Sequence, residues 1–240
     1  MVRLACTFLV IVFSSYISSA YADAIGKVVA IAGSPQVTNA DGSHRLTSGS
    51  DIFEHDKIVV GGGNAQILFI DGTRMVVGAG STLVVEKFLL RGGSTAQNFT
   101  VNALRGTFRF ITGKSAKSAY NIKTANATIG IRGTGFDFWV ENKTGVAVHE
   151  GRVNLCNRSK NCVDLKAGCE VGIAQSNGSL KLSGDVKVAN LLTRFPFVIS
   201  QSQLNRRFQL DTKACRAVIN FYTGGQGGGS REPPPKNRGE

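Results

Sequence analysis

Phe136-Asp137-Phe138-Trp139-Val140-Glu141 decides the fold class. In an extended chain Phe136, Phe138 and Val140 fall on one side, and Asp137, Trp139 and Glu141 fall on the other. A period of two is the signature of a strand with one buried and one wet face. The same alternation recurs upstream. Phe108 and Phe110 alternate with Thr107, Arg109 and Ile111, Tyr120 and Ile122 with Asn121 and Lys123, and Phe99 and Val101 with Thr100 and Asn102. Phe108 and Phe110 are therefore expected in the core rather than as stacking platforms.

Outward from this centre the pattern holds between about Ile25 and Leu182. Apolar runs at Lys27 to Ala32, Lys57 to Val60, Ala65 to Ile70, Arg74 to Val77 and Thr82 to Glu86 are closed by Gly61-Gly62-Gly63 and by Asp71-Gly72. Asp-Gly between β-branched runs marks a hairpin, because both residues tolerate positive φ. Further turns are expected at Asn142 to Gly145, Glu150-Gly151, Ala167-Gly168 and Asn177-Gly178. Close spacing with no helical pattern between strands predicts an all-β fold, a sandwich or roll of short antiparallel strands. After Gly184 the period changes. Val188, Leu191, Leu192 and Phe195 recur at helical spacing, and Pro196 interrupts. A second amphipathic helix is expected to carry Leu204, Phe208, Cys215, Val218, Ile219 and Tyr222, with Arg206, Arg207, Lys213 and Arg216 on its other face.

The 240 residues thus divide into a β domain over 23–183, a helical appendage over 184–223 and two terminal segments. Residues 224–240, rich in Gly and then reading Glu-Pro-Pro-Pro, are predicted to be a disordered tail. Residues 1–22 read as a signal peptide: Arg3, an uncharged apolar stretch, and Ala20-Tyr21-Ala22 as the cleavage site before Asp23. The stretch is too short to span a bilayer comfortably, so export without a transmembrane segment is expected. Four cysteines follow the cleavage site: Cys156, Cys162, Cys169 and Cys215. In an oxidising compartment they suit two disulfides, with three possible connectivities. Cys156 and Cys162 flank a short polar stretch, which favours a bridge across that hairpin and leaves Cys169 to staple Cys215 onto the β domain. The absence of any Cys-x-x-C argues against a zinc site built from these thiols and His149.

Several blocks resemble the FecR family. Phe69-Ile70-Asp71-Gly72-Thr73-Arg74 with Ser81-Thr82-Leu83 resembles its central hairpin, and Leu104 to Phe110 its next block. Thr124 to Thr134 is similar to its most characteristic run, and Val148 to Val153 with Ala167-Gly168 to its closing strands. The blocks agree in order and spacing, from about Ile25 to Ala174. The resemblance implies the periplasmic domain of a three-part regulator: a cytoplasmic segment that holds a sigma factor, one spanning helix, and a domain that senses a loaded outer-membrane transporter. Here a cleavable signal stands in place of the cytoplasmic segment, so the chain is expected to be a stand-alone periplasmic module.

The chemistry points the same way. His44, His55 and His149 are the only histidines. His149 and Glu150 are strand neighbours and face opposite ways. Neither a nucleophile elbow nor His-Glu-x-x-His is present, and Gly61-Gly62-Gly63 lacks the Lys-Ser/Thr of a phosphate loop. Neither an enzyme nor a cofactor is expected. Asp71 reads as a turn residue capping the backbone two positions on, and Gly130 and Gly133 as bends in a strand. Lys and Arg number 28 against 16 Asp and Glu. Export makes nucleic acid an improbable target, and leaves envelope anions. Candidate binding residues are Arg105, Arg109, Lys114, Lys117, Lys123 and Arg132. The expected function is docking onto another envelope protein, a signalling receptor or a transporter, by edge-strand pairing. The alternative is binding of an anionic or carbohydrate polymer (peptidoglycan or lipopolysaccharide) through a basic face.

Overall fold

A computed structural model describes residues 23–91, 93–175, 177–182 and 186–223. The predicted signal peptide and tail lie outside the described residues. Fifteen strands come first: β1 (Gly26–Gly33), β2 (Gln36–Asn39), β3 (Gly42–Arg45), β4 (Asp51–Ile52), β5 (Lys57–Val60), β6 (Gly63–Phe69), β7 (Arg74–Val77), β8 (Ser81–Arg91), β9 (Thr95–Ile111), β10 (Tyr120–Thr124), β11 (Ala127–Val140), β12 (Thr144–Asn157), β13 (Cys162–Lys166), β14 (Glu170–Gln175) and β15 (Gly178–Leu182). Helices follow: α1 (Val186–Leu192), α2 (Pro196–Ile199) and α3 (Lys213–Thr223). All strands belong to one hydrogen-bonded sheet. The all-β class with a helical appendage is as the alternation predicts.

Three strands are not short. β9 runs 17 residues, and β11 and β12 run 14 each. Each serves two regions of the sheet and bends at a glycine between them. β9 pairs with β8 up to Arg105 and with β7 from Phe108, and Gly106 between them has φ +104°. A Cβ at Gly106 would lie 2.4 Å from the Cα of Ser81, so only glycine fits there. β11 pairs with β10 up to Gly130 and with β9 from Gly135, with Gly133 at φ +73° where the register slips. β12 pairs with β14 up to Val148 and with β13 from Arg152, with Gly151 at φ +71°. Glu150-Gly151 is therefore a bend inside a strand, not the turn its composition suggests. The bends let one sheet wrap around one core.

One pairing departs from the antiparallel expectation. β10 runs parallel to β9, with Tyr120 opposite Phe99 and Thr124 opposite Ala103. A parallel pair needs a crossover of about a dozen residues. Here the second half of β9 and the loop 112–119 supply it, which strand-by-strand periodicity does not reveal.

Phe69, Phe99, Phe108, Phe110, Phe136 and Phe138 lie in the enclosed core with Val, Ile and Leu from nearly every strand. Phe108 stacks on Phe138 across β9 and β11 at 4.9 Å. The opposite face of β9 and β11 is not wet. Arg109, Asp137 and Trp139 are as buried as the phenylalanines beside them, because the segment from α1 to α3 covers that face. The second predicted helix is shorter than its periodicity suggests. Leu204 and Phe208 lie outside α3, on a loop and a 3-10 turn (Arg206–Phe208), and both pack on the sheet with Phe197 and Val76.

Trp139 lies opposite Gly145, and a Cβ there would fall 2.3 Å from the indole. Gly145→Ala is expected to cost about 1–3 kcal/mol through overpacking. Chemical denaturation should show it as a lower midpoint at unchanged slope; an unchanged midpoint would mean that the indole has room to move.

Candidate functional site

A row of residues crosses the covered face in direct register. Gln66 of β6 lies opposite Val76 of β7, Val76 opposite Arg109 of β9, Arg109 opposite Asp137 of β11, and Asp137 opposite Ala147 of β12. All five are buried. The polar members hold the cover by its backbone. Gln66 Nε2 donates to the Gln203 carbonyl at 3.0 Å, and its Oε1 accepts from the Asn205 amide at 2.8 Å.

Arg109 is the centre of this arrangement. Nε and Nη2 donate to the two oxygens of Asp137 at 2.6 and 2.8 Å, a bidentate pair. Nη2 also donates to the Phe197 carbonyl at 3.0 Å, and Nη1 donates to Gln201 Oε1 and to the Phe208 carbonyl. All five N–H donors of the guanidinium are thereby used. Two hold Asp137 and three hold the segment 197–208. The Arg109 guanidinium also sits 5.6 Å from the centre of the Phe197 ring.

Asp137 has a second partner, His149 of β12, whose Nε2 lies 3.0 Å from Oδ2. The other ring nitrogen, Nδ1, lies 3.6 Å from the sulfur of Cys215 on α3. Burial alone would raise the Asp137 carboxyl, but Arg109 and His149, by charge and hydrogen bonds, outweigh it and hold the group below the ordinary aspartate range. Cys215 is bridged to Cys169, and Cys156 to Cys162. This is the favoured pairing of the three, and with the thiols paired none is left as a zinc ligand. Among the described residues no group of three or more His, Cys, Asp or Glu side chains is placed to hold a metal ion.

Asp71 forms a second buried cluster. Its Oδ1 accepts from the Thr73 amide at 2.9 Å, the turn cap expected of it. Its Oδ2 accepts from the hydroxyls of Thr73, Ser115 and Tyr120. Those bonds tie the β6–β7 hairpin to the loop after β9.

Of the predicted basic surface, Arg109 is a correction: it is completely buried, and its charge is spent on Asp137 and the cover. Arg105, Lys114, Lys117, Lys123 and Arg132 are exposed. Lys114 and Lys117 share the loop after β9, and the Lys117 side chain packs on Gly133, next to Arg132 in the chain. Lys123 is paired with Glu86 at 2.8 Å, and Arg105 lies at the bend of β9. The signal for the buried pair was present in sequence. Phe108-Arg109-Phe110 and Phe136-Asp137-Phe138 set opposite charges in the same aromatic frame, but two frames become neighbours only when β9 and β11 pair.

Fold and site define an all-β domain clasped by a helical C-terminal segment through a buried ion pair. Residues 56–154 match the family model described as FecR protein. No curated protein matches the chain. Two crystal structures with a provisional anti-sigma-factor assignment, both from Parabacteroides distasonis ATCC 8503, are similar to it. The one at 1.65 Å resolution is 21% identical over 57% of this chain and 64% of its own, with a TM-score of 0.42. This chain thus spans just under two thirds of that relative. The one at 2.50 Å is 20% identical over 70% of this chain and 91% of its own, with a TM-score of 0.43.

Removing one partner of a buried pair leaves an uncompensated charge. Arg109→Met alone is expected to cost about 3–5 kcal/mol, and Arg109→Met with Asp137→Leu markedly less; equal losses in urea unfolding would show that packing, not the unpaired charge, sets the cost. The lowered Asp137 group contributes stability that is fully present above its unfolded value near ~3.9 and lost as pH falls through its folded value. Unfolding free energy followed from pH 6 to pH 2 should show this loss below about pH 4, and Asp137→Asn should lack that component.

Proposed function

We propose that the protein is an exported, non-enzymatic binding module that docks onto another envelope protein, a signalling receptor or a transporter. The observation that carries this reading is the FecR family match over residues 56–154. The signal-peptide pattern in residues 1–22 supports delivery to the periplasm. No helix among the described residues is long and apolar enough to cross a membrane.

The use of the charged groups supports binding over catalysis. Asp137 and Arg109 are consumed in holding the cover, and Asp71 in holding a hairpin. A cleft of about 530 Å³ between the sheet and the cover has Asn64, Thr107, Phe197 and Gln203 in its wall, and no carboxylate, histidine or basic side chain lines it. Docking through an edge is open to the fold. Among the described residues β3 pairs only with β2, and its four residues are all exposed. An open edge offers unpaired amides and carbonyls to a partner strand.

A second reading rests on Lys114, Lys117 and Arg132, which are exposed around the end of β9. Such a face suits an anionic envelope polymer.

A pull-down from native envelope extract with the tagged protein, at low and high salt, separates the two. The docking reading expects one envelope protein retained at high salt, since a strand-paired apolar contact is little screened. Retention of wall or lipopolysaccharide material only at low salt, abolished by Lys114→Glu with Lys117→Glu, overturns docking in favour of polymer binding.

A further inference from the structure

Cys169–Cys215 is set in an environment that Cys156–Cys162 lacks. Cys215 is 1% exposed, and its sulfur lies 3.6 Å from His149 Nδ1, while His149 Nε2 holds Asp137 at 3.0 Å. The charged and titratable groups in this contact chain are His149 of β12, Asp137 of β11 and Arg109 of β9, with Cys215 of α3 and Cys169 of the turn before β14. With the bridge closed, Asp137 already balances Arg109, and a protonated His149 adds an unbalanced positive charge. A thiolate at Cys215 would supply the missing negative charge, so opening the bridge converts the chain of contacts into two ion pairs. Imidazolium beside a cysteine lowers its thiol pKa and stabilises the reduced state. Cys156 has Asn154 Oδ1 at 3.0 Å from its sulfur instead, a neutral neighbour.

We propose that Cys169–Cys215 is a thiol–disulfide exchange site, opened by a dithiol reductant, in which His149 stabilises Cys215 as the leaving thiolate. The two sulfurs are not equivalent. Cys169 is the less buried at 7%, and lies in the turn before β14 with φ +71°. A reductant thiolate attacks Cys169, forms a mixed disulfide there and breaks the Cys169–Cys215 bond. The electron pair leaves on Cys215, and His149 takes up the proton given up by the attacking thiol, so that the thiolate forms against an imidazolium. The second thiol of the reductant then displaces Cys169, which departs with a proton. The reductant is oxidised to a disulfide, and the protein gains two electrons and two protons, one on Cys169 and one shared by the His149–Cys215 pair. The bridge joins the sheet to α3 across 46 residues, so the exchange governs how firmly the cover is clasped. This inference does not depend on the docking reading.

The test uses the purified full chain, oxidised, then equilibrated in graded dithiothreitol and glutathione buffers. Differential alkylation and mass spectrometry report each cysteine separately. The expected result is that His149→Gln, which keeps a hydrogen bond to Asp137 but carries no charge, shifts the Cys169–Cys215 equilibrium about tenfold toward the disulfide, roughly 30 mV for two electrons. Cys156–Cys162 should not move. The second readout is thiolate absorbance at 240 nm of the fully reduced protein against pH. One thiol should ionise well below the usual ~8.5, and that step should vanish in His149→Gln. An equilibrium unmoved by His149→Gln, or equal shifts at both bridges, overturns the proposal. So does a reduced wild-type protein in which every thiol titrates near ~8.5.

Discussion

The covered face depends on one ion pair. Arg109 and Asp137 sit opposite each other on neighbouring strands, each between two phenylalanines that point into the enclosed core. Neither charge reaches water, so each must be satisfied by protein. Asp137 takes two guanidinium donors, and the remaining three reach a side chain and two carbonyls of the C-terminal segment. A buried pair of this kind adds little net stability over apolar residues of the same volume, because desolvation offsets the Coulomb gain. Its consequence is positional. The guanidinium is a rigid fork with fixed donor directions, and the segment 197–208 must lie where its carbonyls meet them. Trp139, Val171, Val188, Leu192 and Phe195 then seal one side of the pair, and Val76, Phe197, Leu204 and Phe208 the other.

The bent strands make that arrangement possible. β9, β11 and β12 each lend one half to one region of the sheet and the other half to another, and the change falls beside Gly106, Gly133 and Gly151. The three glycines adopt a backbone that residues with a Cβ rarely take. The wrapped sheet leaves the second halves of β9 and β11, with the first half of β12, outside the enclosed core on one face. That face carries the row from Gln66 to Ala147, and the helical segment closes it. The appendage is thus the second layer of the domain.

The same economy bears on function. Arg109, paired with Asp137, is committed to holding two layers together. Toward solvent the described residues turn, among other features, an edge strand at β3 and a basic end around Lys114, Lys117 and Arg132. The two disulfides divide the labour. Cys156–Cys162 closes a hairpin between adjacent strands, and Cys169–Cys215 joins layers distant in sequence.

The sequence by itself determined the strands and the elements that interrupt them, because alternation, glycine turns and helical spacing are local and each is set by a few residues. Phe108 and Phe110 read as core, Asp71 as a turn cap, Cys156–Cys162 as a hairpin bridge, and the helical segment after Gly184, all from such short-range signals. Only the tertiary structure decided what became of the polar face of β9 and β11. Arg109 had the pattern of a surface cation, since alternation reports which side a residue takes and not what later covers that side. Its burial required Asp137 to be placed opposite by the strand pairing, and a segment some ninety residues on, at Phe197 and Gln201, to supply acceptors. Satisfying a buried charge is a property of three segments at once, and no one of them carries it alone.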